Sequence, residues 1–514
     1  MFVKVKNKLK AFENTKKESQ SQSDDITPKF EIKFYDSLED NLKYIENKFK
    51  NCSDLVIKRF SKDGVNIAVV AFANLYDKEI ATLSIIEPIL KQDFIPAITY
   101  KYNIYREIMD SCITVSEVSE TDYIDEFTIK LMTGFCGILV DGFDKGALTG
   151  LHKISQRSVT ESDTTVVVRG PKDGFVEVLA TNISLVRKRI KSSELKFEVG
   201  LVGKKSKTNY ALCYMEDKIS QKVLKEVKKR LNTIELDYIM ESGYIEPYLE
   251  DNIYSMFPTV GVTDRPDVLC GKISEGRIGI MVDGTPFCLY VPYVFPEVLQ
   301  NPEDYYQRMF YGTVIRWVRL AALFISLFLP SFYVALTTFH QEALPPSILY
   351  NIAKSQQTTP FPIVLEALII HFIYELLREA GIRLPKPVGQ AIGIVGALVI
   401  GDAAVSAGIM GAPMVIVVAL TAIASFAVSE IYETVFILRY IFILAAGFCG
   451  FYGIMLCLSL VLIHLCSLKS FGVPYLSPIS PFDKTAQRDM FIRSSWPFLK
   501  KTIKIENMNG SKEE

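Results

Sequence analysis

The chain has 514 residues, which is more than one compact soluble domain usually contains. Its 57 basic and 58 acidic residues give a net charge of -1, so its charge balance gives no reason to expect a nucleic-acid partner. Charged residues occur throughout residues 1–317, whereas residues 320–468 contain long apolar runs with very few charges. This asymmetry excludes an ordinary soluble protein and predicts a two-part N-terminal α/β cytoplasmic domain, a multi-spanning helical membrane domain and a short C-terminal tail.

The first 29 residues are polar and basic, and no apolar core of a secretory signal follows them. We therefore expect residues 1–29 to form a flexible tail and the soluble domain to stay in the cytoplasm. The nine cysteines are irregularly spaced and the four histidines are far apart, which indicates reduced thiols and predicts no metal site and no cofactor.

Residues 30–145 form the first predicted α/β subdomain. Helical spacing of apolar residues predicts helices at 37–49, 80–90 and 123–132, and apolar β-branched runs predict strands at 65–75 and 137–142. Residues 145–165 are rich in Ser, Thr and Asp and are interpreted as a connection.

Residues 160–300 form the second predicted α/β subdomain. Helices are predicted at 175–190 and 220–231, and strands at 165–168, 196–202, 209–214, 279–284 and 287–291. The sequences GILVDG at 137–142 and GIMVDG at 279–284 are nearly identical. This similarity indicates two related subdomains, although a strand that ends in Asp-Gly is common enough to occur twice by chance.

The turn at residues 169–174 (RGPKDG) precedes the helix predicted at 175–190, and Arg169 and Asp173 mark a candidate anion site there. The N–H groups at the start of a helix can hold a carboxylate. The alternative is that the segment is only a turn followed by a helix start.

The membrane domain, residues 318–468, has four good spanning candidates, at 320–339, 388–410, 413–428 and 442–468. Basic residues precede the first and follow the last, so both termini are predicted to be cytoplasmic and residues 469–514 to be a cytoplasmic tail. The number of crossings should then be even. Four crossings fit if 361–377 lies in the interface, and six fit if it spans and 434–468 forms a hairpin.

Small residues recur every four positions in the 388–410 segment, at Gly389, Gly393, Ala397 and Gly401. In lipid such a stripe lets a second helix approach closely, so it predicts tight helix packing within or between subunits.

Polar side chains interrupt the apolar segments and are candidates for a water-filled path or a gate, since a charge in the bilayer should face protein or water. They are Glu366, His371, Glu375, Gln390, Asp402, Thr421 and Ser425. The alternatives are a position near the membrane surface for the charged residues, and hydroxyls bonded back to their own helix for Thr421 and Ser425. No nucleophile, metal or phosphate-loop motif is present, so the chain is not expected to be an enzyme.

Several segments together resemble the A subunits of GerA-type spore germinant receptors, from about residue 30 to about residue 498. They include RGPKDGFVEVLAT at 169–181, RIGIMVDGTPF at 277–287, PEDYY at 302–306, LPSFYVALTTFH at 329–340, LLREAGIRLPKPV at 376–388 and HLCSLKSFGVP at 464–474.

This resemblance implies a multi-pass protein of the spore inner membrane that acts in germination with GerB-type and GerC-type subunits. It also implies self-association into a homo-oligomeric, nutrient-gated ion channel, with the nutrient bound directly or through the B subunit. A SpoVAF-like accessory channel subunit without direct nutrient sensing has the same architecture and stays open as an alternative. A secondary transporter would predict matching halves, which the sequence lacks, and a structural scaffold would tolerate loss of the membrane acids.

Overall fold

The computed structural model describes residues 30–92, 105–115, 117–151, 167–385, 388–389, 396, 399–482 and 489–494. The tail predicted at 1–29 lies outside these residues. The chain divides into two compact units, one formed by residues 1–50 with 54–154 and the other by residues 51–53 with 155–514.

The first unit contains a five-stranded antiparallel sheet in the order β1-β2-β4-β5-β3. Its strands are β1 Leu55–Lys62, β2 Val65–Phe72, β3 Val118–Thr121, β4 Phe135–Val140 and β5 Gly146–Gly150. Its helices are α1 Leu38–Lys48, α2 at 78–91 with a π-helical middle at Thr82–Ile86, a π-helical turn Ile108–Cys112, and α3 Ile124–Met132. α1 begins after Ser37, whose hydroxyl accepts from the Asp40 N–H and caps the helix.

The α/β part of the second unit contains another five-stranded antiparallel sheet, in the order β6-β7-β9-β10-β8. Its strands are β6 Leu195–Val202, β7 Thr208–Met215, β8 Gly261–Thr263, β9 Ile278–Val282 and β10 Cys288–Val291. Its helices are α4 Leu179–Arg189, α5 Gln221–Asn232 and α6 Pro266–Ser274, with shorter turns Ser242–Tyr244, Glu246–Leu249 and Phe295–Leu299.

The two sheets have the same topology, because in each the fourth strand in chain order lies between the second and the fifth, and the third lies at an edge. The two hexapeptides that suggested a repeat supply the equivalent strands β4 and β9. The predicted relation between the two subdomains is confirmed at the level of topology.

Three predictions for the α/β parts differ from the structure in detail. Residues 146–150, interpreted as part of a connection, form strand β5 between β4 and β3, and four of the five are buried. The helix predicted from residue 175 begins only at Leu179, because Val178 is extended and the Asp283 carboxylate accepts from the Leu179 N–H. Of the strand predicted at 165–168, only 167–168 are described, and they are not in a strand.

The helical part of the second unit begins after the short helix Glu303–Tyr306. Its helices are α7 Met309–Thr338, α8 Pro346–Gln356, α9 Ile363–Arg383, α10 Ala412–Phe426 and α11 Tyr432–Ser467, with shorter turns Gln341–Ala343, Val399–Ala403, Ala404–Ser406 and Ser429–Ile431. The predicted spans at 320–339 and 413–428 largely coincide with parts of α7 and α10, and the doubtful one at 361–377 overlaps the continuous helix α9, which begins at Ile363.

The C-terminal segment after α11 packs onto the second α/β part. Lys469–Ser470 and Val473–Pro474 pair as strands β11 and β12. The Ser470 hydroxyl donates to the Thr259 carbonyl at 2.7 Å and accepts from the Tyr293 N–H at 3.1 Å. The predicted tail therefore begins with a segment that helps to complete the second core.

Candidate functional site

α11 is a helical hairpin that reverses at Gly450. Gly450 has φ 61° and ψ -141°, a conformation that suits glycine, and a Cβ there would lie 2.9 Å from Nε2 of His340. Near the start of α11 the Thr434 hydroxyl donates to the Met256 carbonyl, and near its end the His464 ring lies 3.2 Å from the Ser255 hydroxyl. A continuous helix would separate residues 434 and 464 by about 45 Å, so the two arms run antiparallel.

α7 contains a proline whose missing hydrogen bond is replaced from α11. Pro330 has no N–H, so the carbonyl of Ser326, four residues earlier, loses its helical donor. Nε of Arg439 donates to that carbonyl at 2.8 Å, and Arg439 is fully buried. The arginine therefore connects α7, at the point where its helical hydrogen bonding is interrupted, to the first arm of the hairpin.

Glu366, on α9, is buried and anchors the start of α10. Its carboxylate accepts from the Gly411 N–H at 2.6 Å, and Gly411 is the residue that caps α10. A carboxylate is stabilised at a helix N-terminus by the helix dipole. Glu366 therefore fixes the turn between the 399–410 segment and α10.

His371 is buried one turn further along α9. Its Nδ1 lies 2.8 Å from the Ala367 carbonyl, which can only accept, so Nδ1 carries the proton. The other ring nitrogen, Nε2, is buried and has no hydrogen-bond partner among the described residues, and the same holds for Nη2 of Arg439. These atoms leave unused hydrogen-bonding capacity inside the helical part.

Glu375 ties α9 to the start of α11. Its carboxylate pairs with the Arg378 guanidinium at 2.6 Å and accepts from the Tyr432 hydroxyl. The guanidinium also lies 3.7 Å from the centre of the Tyr432 ring. Unlike a free pore acid, this carboxylate already has a cation and a donor within its own chain.

The remaining polar candidates divide into two kinds. Thr421 and Ser425 are buried, and their hydroxyls donate to the carbonyls of Val417 and Ala422 on their own helix at 2.7 Å. Asp402 is exposed, with the Ser406 hydroxyl 3.5 Å from its carboxylate. Among the described acids of the candidate set, Asp402 alone faces outward.

Only the two ends of the small-residue stripe, Gly389 and Gly401, are described, because Gly393 and Ala397 lie outside the described residues. The polar candidate Gln390 also lies outside them. A Cβ at Gly389 would lie 2.8 Å from the Gly381 carbonyl, so the chain approaches itself closely there. A Cβ at Gly401 would meet no described atom within 4 Å. Among the described residues, nothing packs against the Gly401 end of the stripe.

At the candidate anion site the chain supplies its own carboxylates. The N–H groups of Val168 and Arg169 both donate to the Glu303 carboxylate at 3.2 Å, while Asp173 pairs with Arg189. The N–H of Leu179, at the start of α4, is taken by Asp283.

Sequence reasoning missed two arginines that organise the helical part. Arg316 is one of the basic residues that precede the first predicted span and were used only to predict topology; it is buried and pairs with Asp304 and Asp489. Arg439 lies in an apolar run of α11, and the signal that could have identified it is the cost of burying an unpaired arginine in such a segment. Within the described residues no group of three His, Cys, Asp or Glu side chains could hold a metal ion.

Chemically, this arrangement provides a packed helical bundle with internal polar ties, and among the three candidate acids only Asp402 is exposed. In the part of the chain that the structure describes, two helices are long and apolar enough to cross a membrane, Met309–Thr338 and the 39-residue stretch Ser429–Ser467 that contains the hairpin.

Comparison with known proteins gives a consistent result. The family described as Bacillus/Clostridium GerA spore germination protein matches residues 43–505. Spore germination protein KA of Bacillus subtilis is 42% identical over 465 residues, covering 90% of this chain and 85% of the relative. The membrane protein YfkQ of Bacillus subtilis is 38% identical over 463 residues, covering 90% and 89%.

A crystal structure of the N-terminal domain of the A subunit of the Bacillus megaterium spore germinant receptor GerK3 is also similar. It is 31% identical, covers 52% of this chain and 98% of that domain, and aligns with a TM-score of 0.42. Because the family match spans most of the sequence and both Bacillus subtilis relatives exceed 30% identity over nine-tenths of it, the chain belongs to the GerA family of spore germination proteins.

Proposed function

We propose that this chain is the A subunit of a nutrient germinant receptor in the spore inner membrane. We further propose that it assembles with GerB-type and GerC-type subunits and with copies of itself into a cation channel that starts germination. Family membership supports the role in germination. The observation that carries the channel is the outward-facing carboxylate of Asp402 in an otherwise apolar segment.

The surface of the helical part supports a location in the bilayer. Only 44% and 33% of the most apolar windows of Met309–Thr338 and Ser429–Ser467 are buried within the chain, which is unlike the core helices of a soluble protein. Large apolar side chains face outward on several helices, for example Ile423 and Phe448, which are 69% and 78% exposed. Such a surface needs lipid or another subunit to cover it.

The contacts among the helices favour six crossings. The arms of α11, residues 432–449 and 451–467, are each about 26 Å long, close to the thickness of the hydrocarbon core. α9 runs antiparallel to the first arm, because Val364 contacts Gly447 near the hairpin tip and Glu375 contacts Tyr432 at the other end. α7, α9, the 388–410 segment, α10 and the two arms would then each cross once, with both termini in the cytoplasm.

In this arrangement the three membrane acids have different roles. Glu366 and Glu375 act inside one subunit, where they hold the start of α10 and the α9–α11 contact. Asp402 and the open side of Gly401 lie on the segment that would face a neighbouring subunit or a pore. A carboxylate on a pore wall attracts cations.

The test is potassium flux through liposomes that contain this chain and its GerB-type and GerC-type partners, with and without nutrients. We expect nutrient-dependent flux that falls strongly in Asp402→Asn and is unchanged in Glu342→Gln, which removes an exposed acid in the short turn after α7. Equal flux in both variants would contradict a pore role for Asp402. Flux that needs no nutrient would instead favour the SpoVAF-like accessory channel.

A further inference from the structure

A cavity of about 420 Å³ lies between the second α/β part and the start of α11. Its walls come from residues 246–262, the end of β10 with Tyr293, and residues 429–434. Cavities of about 300–1,000 Å³ are typical of small-molecule sites. None of the membrane acids discussed above lines it, although Tyr432, whose hydroxyl donates to Glu375, does.

Four carboxylates line this cavity, those of Glu246, Glu250, Glu430 and Glu433. None of them forms an ion pair with another described residue, although most acids of the second α/β part do. Glu430 accepts a hydrogen bond from the Tyr293 hydroxyl at 3.1 Å. The wall therefore carries several carboxyl groups and no Lys or Arg among its lining residues, and the Lys272 ammonium lies 5.5 Å from the centre of the Tyr290 ring.

Two of these acids have raised pKa values. Burial, together with repulsion from Glu250, Glu433 and Glu241, raises the pKa of Glu246 to about 7. Burial also raises the pKa of Glu250. A site that holds like charges together in this way becomes more stable when a cation enters it.

A second observation points to a ligand, namely the hydroxyl of Tyr290. Tyr290 lines the cavity and is only 5% exposed, yet its hydroxyl forms no hydrogen bond with a described residue. A Cβ built on Gly261, another lining residue, would lie 2.2 Å from Cζ of Tyr290, so the hydroxyl-bearing end of the ring lies at the cavity wall. With no partner in the described chain, this hydroxyl is available to water or to a ligand in the cavity.

We propose that this cavity binds a small organic cation with two ammonium groups. The described carboxylates do not come together in a group that could hold one metal ion, whereas separate carboxylates suit separated ammonium groups. Met256, Val262 and Ile431 provide apolar wall for a carbon chain between them. A zwitterion of the same length would place its carboxylate against the acidic wall.

The experiment uses the full chain in detergent micelles and measures calorimetric binding of 1,5-diaminopentane, with 6-aminohexanoate and calcium ions as competing probes. We expect saturable binding of the diamine at pH 7.5 and binding of the zwitterion at least about tenfold weaker. The double variant Glu246→Gln/Glu430→Gln should lose about tenfold or more in affinity, because charge-assisted hydrogen bonds are lost. Glu342→Gln, an exposed acid outside the cavity, is the matched control and should bind normally.

Tyr290→Phe keeps the ring and the charges, so it tests the site if the double variant folds poorly; we expect a several-fold loss of affinity. Affinity should also fall at pH 5.5, where Glu246 is protonated. The proposal is overturned if the diamine does not bind saturably, if calcium binds in its place, or if Tyr290→Phe and the double variant both bind as well as Glu342→Gln does.

Discussion

The two α/β parts of the molecule share a framework of hydrogen bonds as well as a topology. In the first, the Asn41 amide accepts from the N–H of Tyr35 and donates to its carbonyl. In the second, Asn182 makes the same pair of bonds with Val176. Each asparagine closes the turn that leads into the first helix of its part, which explains why this buried polar residue stands in both helices.

The repeated Asp-Gly has an equivalent role in both parts. Asp141 accepts from the Leu38 N–H at 3.1 Å, and Asp283 accepts from the Leu179 N–H at 3.0 Å. The carboxylate at the end of the fourth strand thus caps the first helix. The comparison teaches that the aspartates of GILVDG and GIMVDG make the same structural contact between strand and helix, which needs no catalytic explanation.

The parts differ where the fourth strand begins. Six residues before the shared aspartate, the first part has Phe135 and the second has Arg277. Arg277 is buried and donates to Glu297 at 2.5 Å, and Lys272 contacts the other oxygen of Glu297 at 2.5 Å. Glu297 lies in the connection to α7, so the second part uses buried charge to fix the chain that enters the helical part.

The largest expected effect comes from removing this charge. Arg277→Leu should destabilise the second sheet by about 3–5 kcal/mol, because one partner of a buried ion pair is lost. Phe135→Leu in the first part should cost only about 1 kcal/mol. Hydrogen exchange of β9–β10 and β4–β5 in the full chain measures both, and the double variant Arg277→Leu/Glu297→Leu should recover part of the loss. Unchanged exchange in Arg277→Leu would show that the ion pair does not stabilise the sheet.

The next effect tests the glycines of the repeat. A Cβ at Gly137 would lie 2.2 Å from Cζ of Phe127, and one at Gly279 would lie 2.5 Å from Sγ of Cys213. Both alanine variants should lose about 1–3 kcal/mol by overpacking, measured by exchange in the same strands. Gly271→Ala is the control, since a Cβ there meets nothing within 4 Å and helix α6 should gain about 0.5–1 kcal/mol. Loss of stability at Gly271 and none at the other two would refute the packing argument.

Much of the α/β architecture could be predicted because its pattern is local. The amphipathic helix expected at 220–231 is α5, Gln221–Asn232, and the strand expected at 196–202 is β6, Leu195–Val202. Strand β5 could not be predicted, because its sequence GALTG has a glycine at each end and little strand propensity. Its conformation is set by the neighbouring strands β4 and β3.

The candidate site was less predictable, because its contacts join residues that are far apart in the sequence. The sequence shows that Glu366 and Glu375 interrupt an apolar helix, but their partners Gly411 and Tyr432 lie 45 and 57 residues away. Gly450 gives no local sign of a reversal, since glycine is common in membrane helices. A side chain at this position is disfavoured both by the positive φ and by the close approach of His340.

A smaller effect is expected from the shared helix cap. Asp141→Ala and Asp283→Ala should each destabilise their own part by about 0.5–2 kcal/mol, because the first helix loses its acceptor. Asparagine at the same positions keeps an acceptor and should cost less. Exchange of α1 and α4 in the full chain measures the two losses separately. Clearly unequal losses would mean that the two aspartates make the same hydrogen bond but do not contribute equally to stability.

The smallest expected effect is a difference between the two parts in how their stability depends on pH. In the second part, Glu246 has its pKa raised to about 7, above its ordinary value of 4.5, so stability should increase as pH falls from about 7 towards 5. Burial would raise the pKa of Glu297, but Arg277 and Lys272 outweigh burial and hold it below 4.5.

Stability from Glu297 is therefore lost as pH falls below about 4.5. In the first part, burial would raise the pKa of Glu126, but hydrogen bonds from Thr121 and Lys130 outweigh burial and lower it. For this part we therefore expect only a loss of stability at acid pH. Urea unfolding followed by hydrogen exchange, corrected for the intrinsic pH dependence of exchange, should show a gain between pH 7 and 5 in the second sheet alone. Glu246→Gln should reduce that gain, and the raised pKa of Glu250 should supply the remainder. A gain of the same size in the first sheet would contradict the assignment to the second part.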